Sequence, residues 1–81
     1  MKLVPGTIYE GVAEQILPFG VVMKFEDNST HLVHISNIAD KYIKNIEDEV
    51  QLGMAYDVIA IVGKTKPVEL SMKESDFAAV D

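Results

Sequence analysis

The sequence has 81 residues, enough for one domain with one modest core, and its apolar fraction of 48% lies well above that of disordered chains. It contains no cysteine, which excludes disulfides, thiolate metal sites and a cysteine nucleophile. Acidic residues outnumber lysines by 13 to 7, arginine is absent, and the net charge of −6 argues against tight nonspecific binding of nucleic acid.

The N-terminal residues lack the long apolar stretch of a signal peptide, and no run of 18 apolar residues is present. We therefore expect a cytoplasmic protein that does not insert into a membrane. We also expect it to be a monomer. The chain is either a whole small protein or an excised domain.

The first predicted strand is long and bent. It runs from Thr7 to Leu17, after the turn signal Pro5-Gly6, and its apolar residues alternate imperfectly. Gly11 lies in the middle of this strand, where glycine often marks a bulge or a sharp bend. A small closed barrel needs such a bend.

Two shorter strands with clean alternation follow. The second is predicted from Phe19 to Phe25 and the third from Thr30 to Ile35, with a polar turn over 26–29 between them. Their odd-numbered apolar residues predict the buried faces: Val21, Met23, Phe25, Val33 and Ile35.

A connection without strand periodicity separates the third strand from the fourth. Ser36 is the predicted N-cap of a short helical turn over Asn37–Asp40. The segment Lys41–Leu52 is an irregular connection or a short helical turn, and Gly53 ends it.

The last two strands are predicted to form a hairpin. The fourth runs from Met54 to Val62 and the fifth from Val68 to Met72, joined by a turn over 63–67. The tail from residue 73 onward is expected to fray. Five short strands with one insertion predict an all-β barrel.

Five phrases, in the right order and spanning Gly6 to Lys73, resemble the S1 domain family of OB-folds. They are Gly6 to Val12, Pro18 to Val22, Leu32 to Ser36, Ala39 to Ile43 together with Gly53, and Leu70 to Lys73. The resemblance implies a small stand-alone S1-domain protein with a five-stranded OB-fold barrel of S1 type and a short helical turn between strands 3 and 4. It divides the chain into an N-terminal extension (1–5), an S1-like domain (6–73) and a C-terminal tail (74–81).

The resemblance also implies a non-catalytic module that binds single-stranded RNA or the ribosome, with a role in translation or RNA metabolism. In such domains aromatic faces stack on bases and lysines contact phosphates. The second aromatic of the family's second strand is Val22 here, and the aspartate and arginine of the family's last hairpin are absent, so we expect weak binding. The candidate RNA-binding residues are Phe19, Val22, Lys24, His34, Lys64 and Lys66.

A second hypothesis uses the same barrel as an acidic protein-interaction module. It would dock on a basic ribosomal, polymerase or ribonuclease partner, with Val22, Ile59 and Ile61 as an apolar patch. Ile59 has an outward parity on the fourth strand. It is therefore either an exposed anchor or a residue covered by the Lys41–Leu52 connection.

The sequence favours neither an enzyme nor a metal or cofactor protein. Ser36 and Ser71 lack a base with a third orienting group, and no phosphate-binding glycine loop is present. His31 and His34 are close in sequence, but no third metal ligand is evident. We expect no catalytic residue, no metal and no cofactor.

Overall fold

The computed structural model describes residues 1–79. This part of the chain forms β1 (Ile8–Leu17), β2 (Gly20–Lys24), β3 (Thr30–His34), the 3₁₀ helices η1 (Ile35–Asn37) and η2 (Ile46–Asp48), β4 (Ala55–Val62), β5 (Val68–Ser71) and the helix α1 (Glu74–Ala78). Among these residues, no helix is both long and apolar enough to span a membrane.

The five strands form one antiparallel sheet in the order β3-β2-β1-β4-β5. The two edge strands, β3 and β5, pack against each other, which nearly closes the sheet into a barrel. The predicted all-β barrel of five strands is confirmed.

The long strand β1 is shared by both halves of the barrel. Its first half pairs with β4 and its second half pairs with β2, with a register shift between Ala13 and Gln15. The sequence predicted the bulge or bend at Gly11. The structure places it further along the strand, between Ala13 and Gln15. Gly11 instead packs closely, because a Cβ atom there would lie 3.0 Å from the ring of Phe25.

The barrel interior is filled by alternating residues of the strands and by apolar residues of the connection between β3 and β4. The faces predicted for β2 and β3 are buried or pack against the core. The fully or nearly fully buried core residues are Ala13, Val21, Met23, Phe25, Val33, Ile38, Ile46, Val50, Val58, Ala60 and Leu70.

The predicted helical turn begins earlier than the sequence indicated. η1 covers Ile35–Asn37, and its N-cap is His34, whose side chain accepts a hydrogen bond from the backbone N–H of Ser36. Ser36 is therefore inside the turn and not its cap. The imidazole nitrogen can take the capping role because it is an acceptor two residues before that N–H.

The tail forms a helix where fraying was expected. The Ser75 backbone N–H donates to an Asp40 carboxylate oxygen at 3.0 Å, the Ser75 hydroxyl donates to the other oxygen, and Ser71 donates its hydroxyl to Asp76. These side-chain bonds hold α1 against the barrel. Val80 and Asp81, also part of the predicted tail, lie outside the described residues.

Of the two alternatives for Ile59, an exposed anchor or a covered residue, the structure shows the covered residue. Ile59 lies on the face of β4 opposite to the core residues Val58 and Ala60, yet its exposure is 0%. α1 packs against β4, and Ser71, the partner of Ile59 in the β4–β5 ladder, donates its hydroxyl to Asp76 of that helix. Ile59 is therefore not an exposed anchor, and we infer that α1 contributes to its cover.

Candidate nucleic-acid interface

Phe19 and His34 are brought together at one end of the β2–β3 pair. Gly20 pairs with His34, and the backbone N–H of Ile35 donates to the carbonyl of Phe19 at 2.8 Å. A Cβ atom on Gly20 would lie 2.5 Å from the carbonyl oxygen of Val33, so glycine is what allows the two strands to approach this closely. Phe19 keeps 51% of its surface exposed in this position.

The His34 ring is oriented by its neighbour Ser36. The Ser36 backbone N–H donates to His34 Nδ1 at 3.1 Å, and the Ser36 hydroxyl lies 2.8 Å from the same nitrogen. Since Nδ1 accepts a hydrogen bond, the neutral ring carries its proton on Nε2. The exposed imidazole can therefore donate that proton to an acceptor on a ligand.

The hairpin loop (residues 63–67) is held in one conformation by Glu69. Its Oε2 accepts hydrogen bonds from the backbone N–H groups of Lys64 at 3.0 Å and Thr65 at 3.3 Å. Its Oε1 accepts from the Asn37 side-chain amide at 3.2 Å, which ties the hairpin to η1. Glu69 therefore sets the position of the loop that carries Lys64 and Lys66.

These hydrogen bonds keep Glu69 ionised. The Asn37 amide, followed by the N–H of Thr65, lowers the pKa of the Glu69 carboxyl below its ordinary value. The carboxylate charge lies in the same hollow as the two lysines and weakens the local positive potential. Its hydrogen-bonding capacity is directed toward the loop backbone.

A hollow of about 370 Å³ lies between β3 and the hairpin loop. We call it the hairpin hollow. Its walls include Leu32, His34, Ser36, Asn37, Lys64 and Lys66. The structure thus brings together three of the six candidate residues: His34 and the two lysines, which follow it by 30 and 32 positions in the sequence.

Val22 and Lys24 lie on the same outward face of β2 but occupy different surroundings. Val22 is half-buried and pairs with Leu32, which forms part of the hairpin hollow. Lys24 pairs with Val12 of β1 and lies 3.9 Å from the Glu14 carboxylate, in a separate hollow. Lys24 therefore does not share a hollow with Lys64 and Lys66.

His31 and His34 both line the hairpin hollow, but they lie on opposite faces of β3. The His31 ring packs edge-on against Phe25, with ring centroids 5.5 Å apart. Within residues 1–79, no group of three or more histidine, aspartate or glutamate side chains is placed to hold a metal ion.

Three residues that position this surface were not among the candidates predicted from the sequence: Ser36, Asn37 and Glu69. Each acts through a hydrogen bond to a group that faces the hairpin hollow. The hydrogen bond between Ser36 and His34 could have been predicted locally, because the histidine stands two residues before the serine at the start of a turn. The contact of Asn37 with Glu69 could not, since 32 positions separate the two residues.

Several curated proteins are similar to this chain, and two of them are described here by name. The chain is 36% identical over 76 residues to the uncharacterized protein YabR of Bacillus subtilis, and 34% identical over 80 residues to the polyribonucleotide nucleotidyltransferase of Magnetococcus marinus. The matches cover 93% and 94% of this chain, but only 59% and 11% of the two relatives. No protein-family model matches the chain.

Solved structures show the same fold. GSP13 from Bacillus subtilis superposes with a TM-score of 0.75 at 24% identity, over 99% of this chain and 62% of that one. A chain of the a/eIF2alpha-aDim2p-rRNA complex from Pyrococcus horikoshii superposes with a TM-score of 0.77 at 18% identity, over 98% of this chain and 51% of that one.

Proposed function

This chain is an S1-like OB-fold domain, and from that premise we propose that it binds single-stranded RNA. The observation that carries the proposal is the grouping of three features at one end of the barrel. They are the half-exposed ring of Phe19, the oriented imidazole of His34 and the hairpin loop with Lys64 and Lys66. We call these residues together the proposed RNA surface.

Each residue has a distinct role in the proposed complex. Phe19 stacks on one base, an interaction of about 1–3 kcal/mol that tolerates any base because every base has a π-face. His34 donates its Nε2 proton to a phosphate, sugar or base oxygen. Lys64 and Lys66 contact backbone phosphates, and the release of their counterions makes binding sensitive to salt.

The same features set the expected strength of binding. One stacking ring and two lysines supply few contacts, and the net charge of −6 repels a polyanion over the rest of the surface. We therefore propose weak binding without a strict sequence preference. Stacking and phosphate contacts discriminate little between bases.

The known proteins similar to this chain support RNA as the ligand class. One relative is named as a polyribonucleotide nucleotidyltransferase, and one structural neighbour was crystallised in a complex with rRNA. We propose a monomer that acts in translation or RNA metabolism, with ribosomal RNA as one natural ligand. The nucleotidyltransferase activity is not part of the proposal, since the chain spans 11% of that relative.

The protein-docking hypothesis loses its principal anchor in this structure. Ile59 is fully buried, and Val22 and Ile61 are partly buried. A flat apolar patch of these three residues is therefore not available to a partner. Docking on a basic protein becomes the explanation to pursue if RNA does not bind.

Fluorescence anisotropy with a labelled single-stranded RNA of mixed sequence tests the proposal. The wild-type protein should bind at low salt and lose affinity steeply between about 50 and 200 mM salt. Phe19→Ala should weaken binding by about 5- to 150-fold, the equivalent of one lost stack.

Leu52→Ala is the matched control for that variant. Leu52 is a large apolar residue with 59% of its surface exposed, and it lines a hollow on another part of the barrel. Its loss should leave RNA affinity unchanged. Absence of binding by the wild-type protein at millimolar RNA, or equal affinities for wild type and Phe19→Ala, would overturn the proposal.

A further inference from the structure

Tyr42 is the most exposed large apolar or aromatic side chain among residues 1–79, with 89% of its surface open to solvent. It lies in the connection between η1 and η2, within the tetrapeptide Lys41-Tyr42-Ile43-Lys44. An aromatic ring between two lysines, in a chain with a net charge of −6, is a local departure from the acidic surface. Stacking rings next to cations are the elements of a surface for single-stranded nucleic acid.

The connection is anchored on both sides of Tyr42, so the ring is presented from a defined backbone. Asp40 is bound by the N–H and hydroxyl of Ser75 in α1. Ile43 packs against the core, and Ile46 is buried within it. Because Ile43 is turned inward, its neighbours Tyr42 and Lys44 are left on the outside.

The anchored connection lies beside the proposed RNA surface. Lys44 lines a hollow together with Pro18 and Ile35. Pro18 directly precedes Phe19, and the N–H of Ile35 is bonded to the carbonyl of Phe19. The loop that carries Tyr42 therefore approaches the end of the barrel at which Phe19 and His34 meet.

The 3₁₀ helix η1 lies between the hairpin hollow and the hollow that Lys44 lines. Ser36 and Asn37 line the former, and Ile35 lines the latter. A single-stranded RNA that follows the surface from Lys64 past His34 would thus continue over η1 toward Lys44. The four lysines along this course, Lys41, Lys44, Lys64 and Lys66, are more than half of the seven in the chain.

We infer that Tyr42 is a second base-stacking residue, which extends the RNA path from Phe19 onto the connection between η1 and η2. The outward position on β2 where a second aromatic residue was expected is occupied by Val22. Tyr42 would supply the second stacking ring in its place. The inference rests on the proposed function, because it assigns a further residue to the same ligand. Lys44 neutralises a phosphate beside the stacked base, while Lys41 is partly engaged by Glu49 at 3.4 Å.

Charges near the loop are compatible with this role. Asp40 is turned toward Ser75, and the hydroxyl of that serine lowers the pKa of the Asp40 carboxyl. Glu47 shares the hollow with Lys44 and is an acidic residue that an RNA strand on this part of the course would have to pass. Substitution of Glu47 by glutamine should therefore strengthen binding.

The test compares Tyr42→Ala and Tyr42→Phe with the wild-type protein in binding a single-stranded RNA of eight nucleotides at low salt. Tyr42→Ala should weaken binding by about 5- to 150-fold, and Tyr42→Phe should stay close to wild type because the ring is kept. The urea midpoint of Tyr42→Ala should equal that of the wild-type protein, since substitutions at such exposed positions have little effect on stability.

The outcomes separate this inference from the proposed function. If Phe19→Ala weakens binding and Tyr42→Ala does not, the role of Tyr42 is overturned and RNA binding by the domain stands. If the wild-type protein binds no RNA, both are overturned. If Tyr42→Phe loses as much affinity as Tyr42→Ala, the hydroxyl and not the ring makes the contact, and the stacking role is wrong.

Discussion

The side-chain amide of Asn37 donates a hydrogen bond of 3.2 Å to Glu69, and this bond joins the 3₁₀ helix after β3 to the hairpin between β4 and β5. The same carboxylate accepts from the backbone of the hairpin loop. One glutamate therefore fixes the distance between the two walls of the hairpin hollow. The proposed RNA surface depends on this fixed distance, because His34 lies on one wall and the lysines lie on the other.

Replacing Glu69 by alanine should loosen the hairpin loop without unfolding the barrel. The backbone N–H groups of Lys64 and Thr65 and the Asn37 amide would each lose a protein acceptor. We expect faster hydrogen exchange at those two backbone amides and weaker RNA binding, although a negative charge has been removed. Glu47→Ala is the control, and it should change neither exchange rate. Stronger RNA binding by Glu69→Ala would show that the charge of Glu69 matters more than its positioning role.

The hydrogen bonds to Glu69 should also make the hairpin sensitive to acid. Its pKa is lowered in the folded protein, chiefly by the Asn37 amide, relative to the ordinary value of 4.5. The stabilisation is therefore fully present above that value and is lost as the pH falls through the lower folded pKa. NMR shifts of the Asn37 side-chain amide should follow this titration. In Glu69→Gln the transition should be absent, and a transition that persists in that variant would exclude Glu69 as its origin.

Because Ile59 is buried, we expect its truncation to lower the free energy of unfolding. Its outward position in the alternation of β4 would not by itself predict this loss. Ile59→Val should lower the free energy of unfolding by about 0.5–1.5 kcal/mol, because a methyl-sized gap opens under the helix. Ile8 pairs with Ile59 across the β1–β4 ladder but is 51% exposed, so Ile8→Val should change stability by less than about 0.5 kcal/mol. Urea denaturation measures both values. Equal effects of the two substitutions would contradict the cover by α1.

The salt dependence of RNA binding should distinguish the hairpin lysines from Lys24. For single-stranded RNA, each phosphate contact contributes about 0.7 to the slope of log affinity against log salt. The double variant Lys64→Ala/Lys66→Ala should therefore reduce the slope by about 1.4. Lys24→Ala should leave it unchanged, since Lys24 lies near Glu14 in another hollow. A slope that changes only in Lys24→Ala would move the RNA path to the β1 side of the barrel.

Most of the barrel could be predicted from the sequence because its strands alternate. The burial of Val21, Met23 and Val33 follows from a period of two, and the strand count follows from the alternating segments and the turns between them. The bulge was misplaced because glycine has two uses in a strand. At Gly11 it serves close packing against Phe25 and not a bend.

The errors concerning α1, Ile59 and Lys24 have a common physical cause in contacts between residues that are separated in the sequence. The helix α1 has five residues and is held by Asp40, 35 positions away from Ser75, so its sequence alone gave no signal. A cover over Ile59 was one of two alternatives from the sequence, but α1 as a covering element could not be predicted. The alternation of side chains along β2 correctly placed Val22 and Lys24 on one face. It could not show that the Lys24 ammonium lies near the Glu14 carboxylate.

The most direct test of the account is a titration of isotope-labelled protein with a mixed single-stranded RNA, first at low and then at moderate salt, with amide shifts as the readout. Binding along the proposed RNA surface should shift only the amides of Phe19, His34, the hairpin loop and the residues around Tyr42, and these shifts should fade as salt is added. An absence of shifts at millimolar RNA, or shifts centred on the Lys24 side of the barrel, would contradict it.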